Sequence, residues 1–368
     1  MEVMSQITEM GHEEVVFFHS RDLGLKAIVA IHDTTLGPAL GGCRMLPYET
    51  DEEALYDVLR LSRGMTYKNA VAGLNLGGGK SVIIGDPKKD KSEAYFRAFG
   101  RYIESLAGRY ITAEDVNTSV EDMVHIFQET SHVTGIPPVF GGSGDPSPFT
   151  ALGTFRGIEA AAEHKYGSRE LGKLSFAVQG VGHVGVHLVR MLRETGAKVY
   201  VCDANEARVR HVVEKFGAEA VGLDDIYGTD AKVFAPCALG GSVNPETLEQ
   251  LKCEIIAGSA NNQLDTDATG DELEKRGMLY VPDYVINAGG VINVAIERQG
   301  YNKDRATHQV DRIFDICKRI FHIAGQEGLP TYQAADHLAE KRIAEVGKVR
   351  RPYLPSRRRP VNGRHTVA

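Results

Sequence analysis

The sequence predicts an α/β protein with two domains, one of them a doubly wound parallel sheet. The chain has 368 residues, more than a single hydrophobic core usually holds. From about residue 174 onward, short apolar strands alternate with helices, which is typical of a parallel sheet covered on both faces. One strand-to-helix turn in this half has the spacing Gly-x-Gly-x-x-Gly, which is typical of a Rossmann-type domain.

The first 135 residues or so predict a smaller α/β unit. Thr50, with Glu53 three residues later, predicts a capping box at the start of a long helix over 51–70. Ser119 predicts the cap of a further helix. The other expected elements are strands at 15–18, 25–32, 81–84 and 110–113 and a helix at 93–107.

The second half begins after two runs rich in glycine and proline, 136–138 and 141–148, which predict a linker or a functional loop. A buried helix is expected next, and two helices close the chain. The expected helices are 150–166, 184–195, 207–216, 303–327 and 331–346, and the expected strands are 174–179, 198–202, 233–235, 254–257 and 279–281.

Composition and charge exclude several classes of protein. A net charge of -7 makes nucleic acid an unexpected partner, and no apolar run of about 18 residues predicts a membrane span. Residues 1–14 lack the apolar stretch of a signal peptide. The spacing of the cysteines fits reduced thiols in the cytoplasm rather than disulfides or a metal finger. The basic residues of 348–364 predict a solvated terminus or, alternatively, a contact with another subunit.

The glycine turn predicts a dinucleotide site because a strand precedes it and a helix follows. The turn consists of Gly180, Val181, Gly182, His183, Val184 and Gly185. Its first glycine permits the tight turn, the second lets backbone amides approach a pyrophosphate, and the third lets helix and strand pack closely. Asp203 ends the next strand, where a carboxylate binds ribose hydroxyls and repels a 2′-phosphate, so NAD is favoured over NADP. The alternative is a glycine-rich turn without a ligand.

Three loops would face the same cofactor, because ligands bind beyond the carboxyl ends of parallel strands. They supply the remaining predicted cofactor contacts: Ser147, Thr150, Cys237, Ala238 and Asn261. The alternative for the asparagines is a hydrogen bond to their own loop. The loop at 145–150 is also a natural hinge for closure that excludes water.

A second site is predicted where Gly77, Gly78 and Gly79 precede Lys80, with Lys68 twelve residues earlier. Glycines remove side chains from one backbone segment and leave an amine beside it, which suits a small anionic molecule. Asp115 follows the predicted strand at 110–113. Each charged residue is by default a solvated surface group.

The sequence resembles the amino-acid dehydrogenase superfamily, which includes glutamate, leucine, valine and phenylalanine dehydrogenases. The resemblance covers the chain to about residue 349 and is greatest to the members that act on leucine. It rests on four segments: Leu40–Met45 with the residues LGGCRM, 68–80, Thr112 to Asp115 with TAED, and 287–293 with NAGGVIN. Positions 181 and 183 of the glycine turn and Asp145 depart from the residues common in the family.

By this resemblance the chain deaminates an L-amino acid oxidatively, with NAD, to a 2-oxo acid and ammonia. Lys68 would pair with the substrate α-carboxylate, neutral Lys80 would activate water, and Asp115 would exchange protons with the amino group. Gly77 and Gly78 would leave room for the substrate, Gly41 would also contact it, and Asn262 would help to hold the substrate or the nicotinamide.

The resemblance also implies a side-chain pocket without charge, lined by Leu40, Met65, Ala113, Val291 and Val294. Such a pocket disfavours glutamate and suits leucine, isoleucine or valine, and ordinary core packing is the alternative explanation of each residue. A valine- or phenylalanine-preferring enzyme and a catalytically silent NAD-binding regulator are the competing functions.

The resemblance further implies a homo-oligomer, an octamer, and three parts of the chain. Residues 1–140 would bind substrate and oligomerise, and 141–330 would bind NAD. Residues 331–368 would return to the first domain as a helix and end in the basic tail.

Overall fold

The computed structural model describes residues 3–349, which contain two β-sheets with helices on both faces of each. The strands are β1 (Glu14–Ser20), β2 (Leu25–Asp33), β3 (Ala39–Leu46), β4 (Gly77–Ile84), β5 (Tyr110–Glu114), β6 (Ser175–Gln179), β7 (Lys198–Cys202), β8 (Glu219–Ala220), β9 (Val233–Pro236), β10 (Ile255–Ile256) and β11 (Leu279–Tyr280). The helices are α1 (Val3–Met10), α2 (Asp51–Val71), α3 (Glu93–Ser105), α4 (Val120–Phe127), α5 (Ser147–Tyr166), α6 (Gly185–Glu194), α7 (Glu206–Phe216), α8 (Asp225–Gly228), α9 (Pro245–Leu248), α10 (Asp267–Lys275), α11 (Asp283–Ile286), α12 (Gly289–Glu297), α13 (Lys303–Asp311), α14 (Ile313–Glu327) and α15 (Thr331–Gly347).

The first sheet is mixed, with the strand order β1-β2-β4-β3-β5. Strand β4 is central, antiparallel to β2 and parallel to β3. The prediction of a strand limited to 81–84 is wrong, because the three glycines and Lys80 are part of β4. Strand β3 was not predicted, because its own glycines have low strand propensity.

The glycines of β4 allow α2 to lie directly on the sheet. A Cβ on Gly78 would stand 2.0 Å from Thr66 Oγ1 and 2.2 Å from the Thr66 backbone nitrogen. A Cβ on Gly79 would stand 2.7 Å from the Tyr110 ring on the other face. No side chain fits at either distance, so helix and strand can approach this closely only at glycine.

The predicted cap of α2 is present with one change. Thr50 Oγ1 accepts a hydrogen bond from the Glu53 backbone N–H at 3.1 Å. The Glu53 carboxylate accepts from the backbone N–H of Glu49 at 3.0 Å, one residue before the cap. The start of the helix is therefore stabilised from both directions, but not by a reciprocal capping box.

The second sheet is parallel, with the order β8-β7-β6-β9-β10-β11. Counted from β6 in chain order, this is 3-2-1-4-5-6, the order of Rossmann dinucleotide-binding domains. The prediction of a Rossmann-type sheet is confirmed. Strand order reverses between β6 and β9, so their carboxyl ends open the crevice where such a fold binds its ligand.

The closing helices bring the end of the described chain back to α2. The helix predicted over 303–327 is two helices, because Arg312 separates α13 from α14. Arg342 on α15 donates to the carbonyl of Leu74 at 2.7 Å, and the Tyr67 hydroxyl donates to Glu340 at 3.0 Å. The domain boundaries at 140 and 330 stay predictions, and the basic tail from 350 onward lies outside the described residues.

Among the helices of residues 3–349, none combines the length and the apolar character that crossing a membrane requires.

Candidate active site

A cleft of about 290 Å³ lies between the two sheets. It brings together twelve of the residues singled out from the sequence: Leu40, Met65, Lys68, Lys80, Ala113, Asp115, Ser147, Thr150, Val184, Asn261, Val291 and Val294. They come from β3, α2, β4 and β5 of the first sheet and from α5, α12 and the loops around the second. Residues up to 254 positions apart in sequence (40 to 294) therefore share one cavity.

Lys80 and Asp115 form an ion pair in the cleft, in which Lys80 is buried and Asp115 is partly buried. Lys80 Nζ lies 2.9 Å from Asp115 Oδ1, and Arg44 Nε donates to Asp115 Oδ2 at 2.9 Å. Burial opposes the charge of Asp115, but Lys80 and Arg44 outweigh it and hold the pKa of that carboxyl well below its usual range. Asp115 is therefore a carboxylate with two cationic partners.

Lys68 contacts the other side of the cleft. Its Nζ donates to Asn261 Oδ1 at 3.2 Å, and Asn287 Nδ2 donates to the same oxygen at 2.7 Å. Burial lowers the pKa of Lys68 to about 8, an effect that the charge of Asp283 opposes and that of Lys80 reinforces. Lys68 is thus an ammonium whose charge is sensitive to its surroundings near neutral pH.

Apolar side chains also line the cleft. Leu40 on β3, Ala113 on β5 and Val294 on α12 are buried, and Met65 and Val291 are partly buried. Glu114 also lines the cleft. Its pKa is raised to about 7 by burial and by the charges of Asp145 and Asp115. An aliphatic side chain can pack against Leu40, Ala113 and Val294, whereas a charged side chain would lose its hydration there without gaining a partner.

Gly41, Gly77 and Gly78 do not line the cleft in the part of the chain that the structure describes. A Cβ on Gly77 would stand 2.0 Å from the Asp33 carbonyl, and one on Gly41 would stand 1.7 Å from the Gly79 carbonyl. Close packing against neighbouring backbone explains why these positions are glycine. Clearance for a substrate, which the resemblance implies, is not needed to explain them. Their contact with a substrate stays a prediction.

The glycine turn has the features that a pyrophosphate needs. Gly180 has φ +97°, and its Cβ would stand 2.6 Å from Ala238. A Cβ on Gly185 would stand 2.1 Å from the Gly180 carbonyl, whereas one on Gly182 would meet little. Helix α6 begins here without a side-chain cap, so its first N–H groups can bind an anion.

The remaining predicted cofactor residues surround this turn. Asp203 Oδ2 accepts from the Val181 backbone N–H at 2.9 Å, so the carboxylate faces the turn. The Cys237 N–H donates to the Gln179 carbonyl at 2.7 Å, which seats the loop of Cys237 beside β6. His183 is exposed at the rim. The residues present fit a dinucleotide.

Asn262 is separated from its neighbour Asn261. Its φ of +50° turns it out of the cleft, and it lines an adjacent pocket of about 310 Å³ with Asp283. The structure thus places Asn261 beside Lys68, and the contact of Asn262 with substrate or nicotinamide stays a prediction.

Several site residues were not singled out from the sequence. Arg44 and Asn287 lie within the segments that carry the family resemblance, which was a usable signal. Glu114 lies within these segments as well, directly before Asp115, but nothing in its spacing indicates that it lines the cleft. Within residues 3–349, no group of three or more His, Cys, Asp or Glu side chains is arranged to hold a metal ion.

The Rossmann sheet and the lysine cleft beside it are typical of an oxidoreductase with a nicotinamide cofactor. Residues 12–132 match the family described as Glu/Leu/Phe/Val dehydrogenase, dimerisation domain, and residues 202–351 match Glutamate/Leucine/Phenylalanine/Valine dehydrogenase. The chain belongs to this family, and it is an amino-acid dehydrogenase.

Individual relatives agree with the family over nearly the whole chain. Leucine dehydrogenase of Geobacillus stearothermophilus is 56% identical over 368 residues, with 100% of this chain and 99% of the relative covered. Phenylalanine dehydrogenase of Bacillus thermotolerans is 48% identical, with 94% and 92% covered. The crystal structure of L-tryptophan dehydrogenase from Nostoc punctiforme is similar with a TM-score of 0.82 and 47% identity, covering 94% of this chain and 99% of that one.

Proposed function

We propose that this protein catalyses the reversible, NAD-dependent oxidative deamination of L-leucine and related branched-chain L-amino acids. Amino acid, NAD⁺ and water become 2-oxo acid, ammonia, NADH and a proton. The observation that carries the proposal is one cleft lined by two lysines and the carboxylate of Asp115 together with apolar side chains. The greater identity to leucine dehydrogenases than to phenylalanine dehydrogenases supports the substrate class.

Each part of the amino-acid substrate contacts different residues of the cleft. The Lys68 ammonium pairs with the α-carboxylate. The Asp115 carboxylate accepts a hydrogen bond from the α-amino group, and Lys80, 2.9 Å from Asp115, exchanges a proton with the water that attacks the imine carbon. The branched side chain lies against Leu40 and Val294, which exclude water from it.

The cofactor contributes the hydride acceptor when it is bound. The N-terminus of α6 would bind its pyrophosphate, and Asp203 would bind a ribose and repel a 2′-phosphate. Ser147 and Thr150 at the start of α5, together with Asn261, would line the nicotinamide end of the cleft. These positions favour NAD over NADP.

The test is formation of reduced nicotinamide by the purified chain with leucine, isoleucine, valine, phenylalanine or glutamate. We expect the three aliphatic substrates to give the highest kcat/KM with NAD, and glutamate to give the lowest because its second carboxylate meets no cation in the pocket. Phenylalanine exceeding leucine would contradict the substrate class, and silence with every amino acid would contradict the enzyme proposal. A preference for NADP would contradict the role of Asp203.

We also propose that the chain acts as a homo-oligomer, an octamer. The family description of residues 12–132 as a dimerisation domain supports self-association. Light scattering on the purified protein would give the mass, and a monomer would contradict the proposal.

A further inference from the structure

We propose that Arg208 is a second determinant of cofactor choice, which attracts the 2′-phosphate of NADP beside the carboxylate of Asp203 that repels it. The pair lets the chain bind both dinucleotides, with NAD preferred. The inference deepens the proposed function, because it takes the glycine turn and Asp203 as the site of the adenosine ribose. Arg208 is in the first turn of α7, which begins directly after the loop that follows Asp203.

The guanidinium of Arg208 lies beside both the glycine turn and Asp203. Its Nη1 is 4.0 Å from Asp203 Oδ1, and a Cβ placed on Gly182 would stand 3.7 Å from the same nitrogen. Asp203 Oδ2 in turn accepts from the Val181 backbone N–H at 2.9 Å. A cation and an anion therefore face the same end of the dinucleotide site, where a Rossmann fold binds the adenosine ribose.

Backbone groups hold Asp203 in place, so Arg208 is not needed for that purpose. The Val181 N–H binds one carboxylate oxygen, and the Asn205 N–H donates to the other at 2.8 Å. Asn205 also caps α7, because its side-chain oxygen accepts from the backbone N–H groups of Ala207 at 3.0 Å and of Arg208 at 3.3 Å. Both charged side chains therefore extend from a backbone that these hydrogen bonds fix.

The guanidinium of Arg208 has unused donors. Within residues 3–349 it donates no hydrogen bond, its ion pair with Asp203 is long, and the side chain is 50% exposed. Glu206, in the same turn of α7, is 89% exposed and pairs with Arg210 at 3.9 Å instead. A guanidinium presents five N–H groups in a planar fork, which fits two oxygens of a phosphate. The free donors of Arg208 therefore suit a phosphate group.

The two charges act differently on the two cofactors. A ribose hydroxyl is neutral, so NAD gains little from the charge of Arg208. A 2′-phosphate is an anion, which Asp203 repels and Arg208 attracts. Because the two charges are 4.0 Å apart, their effects largely cancel at a phosphate that contacts both side chains. Without Arg208, the repulsion from Asp203 would act alone and would exclude NADP more strongly.

The experiment measures the dissociation constants of NADH and NADPH with the purified full chain, from the change in nicotinamide fluorescence. The two ligands differ only in the 2′-phosphate, so the ratio Kd(NADPH)/Kd(NADH) isolates the contribution of that group. In Arg208→Gln we expect this ratio to rise at least about tenfold, because a charge-assisted hydrogen bond to the phosphate is lost. The Kd for NADH should change by less than about threefold, since NADH has no 2′-phosphate.

Three further substitutions separate this contact from other causes. Arg208→Lys keeps the charge but loses the planar fork, so its ratio should lie between those of the parent and Arg208→Gln. Arg190→Gln is the matched control, because Arg190 on α6 is 45% exposed and pairs with Glu194 at 3.8 Å, and it should keep the parent ratio. Asp203→Asn should lower the ratio, and adding Arg208→Gln should raise it again by about tenfold, since Arg208 acts on the phosphate itself.

Each outcome decides the inference. It is overturned by a ratio that Arg208→Gln leaves unchanged, that Arg190→Gln raises equally, or that Arg208→Gln no longer raises in the Asp203→Asn background. If Arg208→Gln does not fold, Arg208→Met, which is neutral and similar in length, decides in its place. Leucine turnover is measured separately: its absence overturns the proposed reaction, while the binding ratio still decides the inference. Failure of both dinucleotides to bind overturns the two together.

Discussion

Lys68 and Lys80 share one cleft, and their neighbours give them different chemistry. Lys80 is 5% exposed and is paired with a carboxylate that is itself held by Arg44. Lys68 donates to a neutral amide oxygen, and burial lowers its pKa to about 8. These neighbours suit the roles proposed above: Lys80 exchanges a proton beside a fixed partner, and Lys68 pairs with an incoming anion.

Replacing Lys80 should remove turnover without removing the cofactor. In Lys80→Ala we expect kcat to fall by about 10³-fold, because the group that exchanges a proton with water is lost. NAD affinity, measured by calorimetry, should stay within about twofold, since the glycine turn lies in the second sheet. Lys91→Ala is the matched control, because Lys91 also pairs with an aspartate of the first domain, Asp122, but lies outside the cleft. Lost NAD affinity would show that Lys80 has been assigned to the wrong site.

Strand β4 and helix α2 pack against each other and carry both lysines of the cleft. Lys80 extends from β4 and Lys68 from α2, so the separation of strand and helix determines the separation of the two amines. Gly78 makes that separation as small as the backbones allow. The glycines before Lys80 thus allow close packing of the backbone, and this packing positions the Lys80 amine.

A methyl group at Gly78 should destabilise this element. In Gly78→Ala the new Cβ would stand 2.2 Å from the Thr66 backbone nitrogen, so the helix has to move away from the strand. We expect the free energy of unfolding in urea to fall by about 3 kcal/mol. Gly64→Ala on the same helix is the control, because nothing lies within 4 Å of its Cβ, and it should gain up to about 1 kcal/mol. Equal stabilities at matched protein concentration would contradict the packing argument.

The sequence predicted the elements whose signals are local. Strand β7 was predicted at 198–202 and is observed at Lys198–Cys202, and the glycine turn was recognised because its strand and helix are adjacent in the chain. Strand β3 and the first half of β4 were not predicted, because glycines carry no strand signal. The contact of Lys68 with Asn261 joins residues 193 positions apart. The periodicity of apolar residues along the sequence does not predict contacts between residues so far apart.

At the scale of the whole molecule, one carboxylate connects the chain between the two sheets to the cleft. It binds both ends of residues 135–143, called the crossing segment below, and it belongs to helix α12, which lines the cleft. Glu297, at the end of α12, accepts from the backbone N–H groups of Gly135 at 2.9 Å and of Ser143 at 2.8 Å, and from the Ser143 hydroxyl. The same helix presents Val291 and Val294 to the apolar pocket. Glu297 therefore connects this segment to the helix that lines the pocket.

Removing this carboxylate should loosen the crossing segment. In Glu297→Ala two part-buried N–H groups lose their acceptor, at about 1–3 kcal/mol each, and each 1.4 kcal/mol raises the population of the open segment about tenfold. We expect chymotrypsin to cleave after Phe140, which is 50% exposed within that segment, at least about tenfold faster than in the parent protein. Glu163→Ala removes a carboxylate that pairs with Arg169 and Lys318 at a distance from the segment, so its cleavage rate should match the parent. Equal rates for both variants would mean that packing around the segment, rather than Glu297, holds it closed.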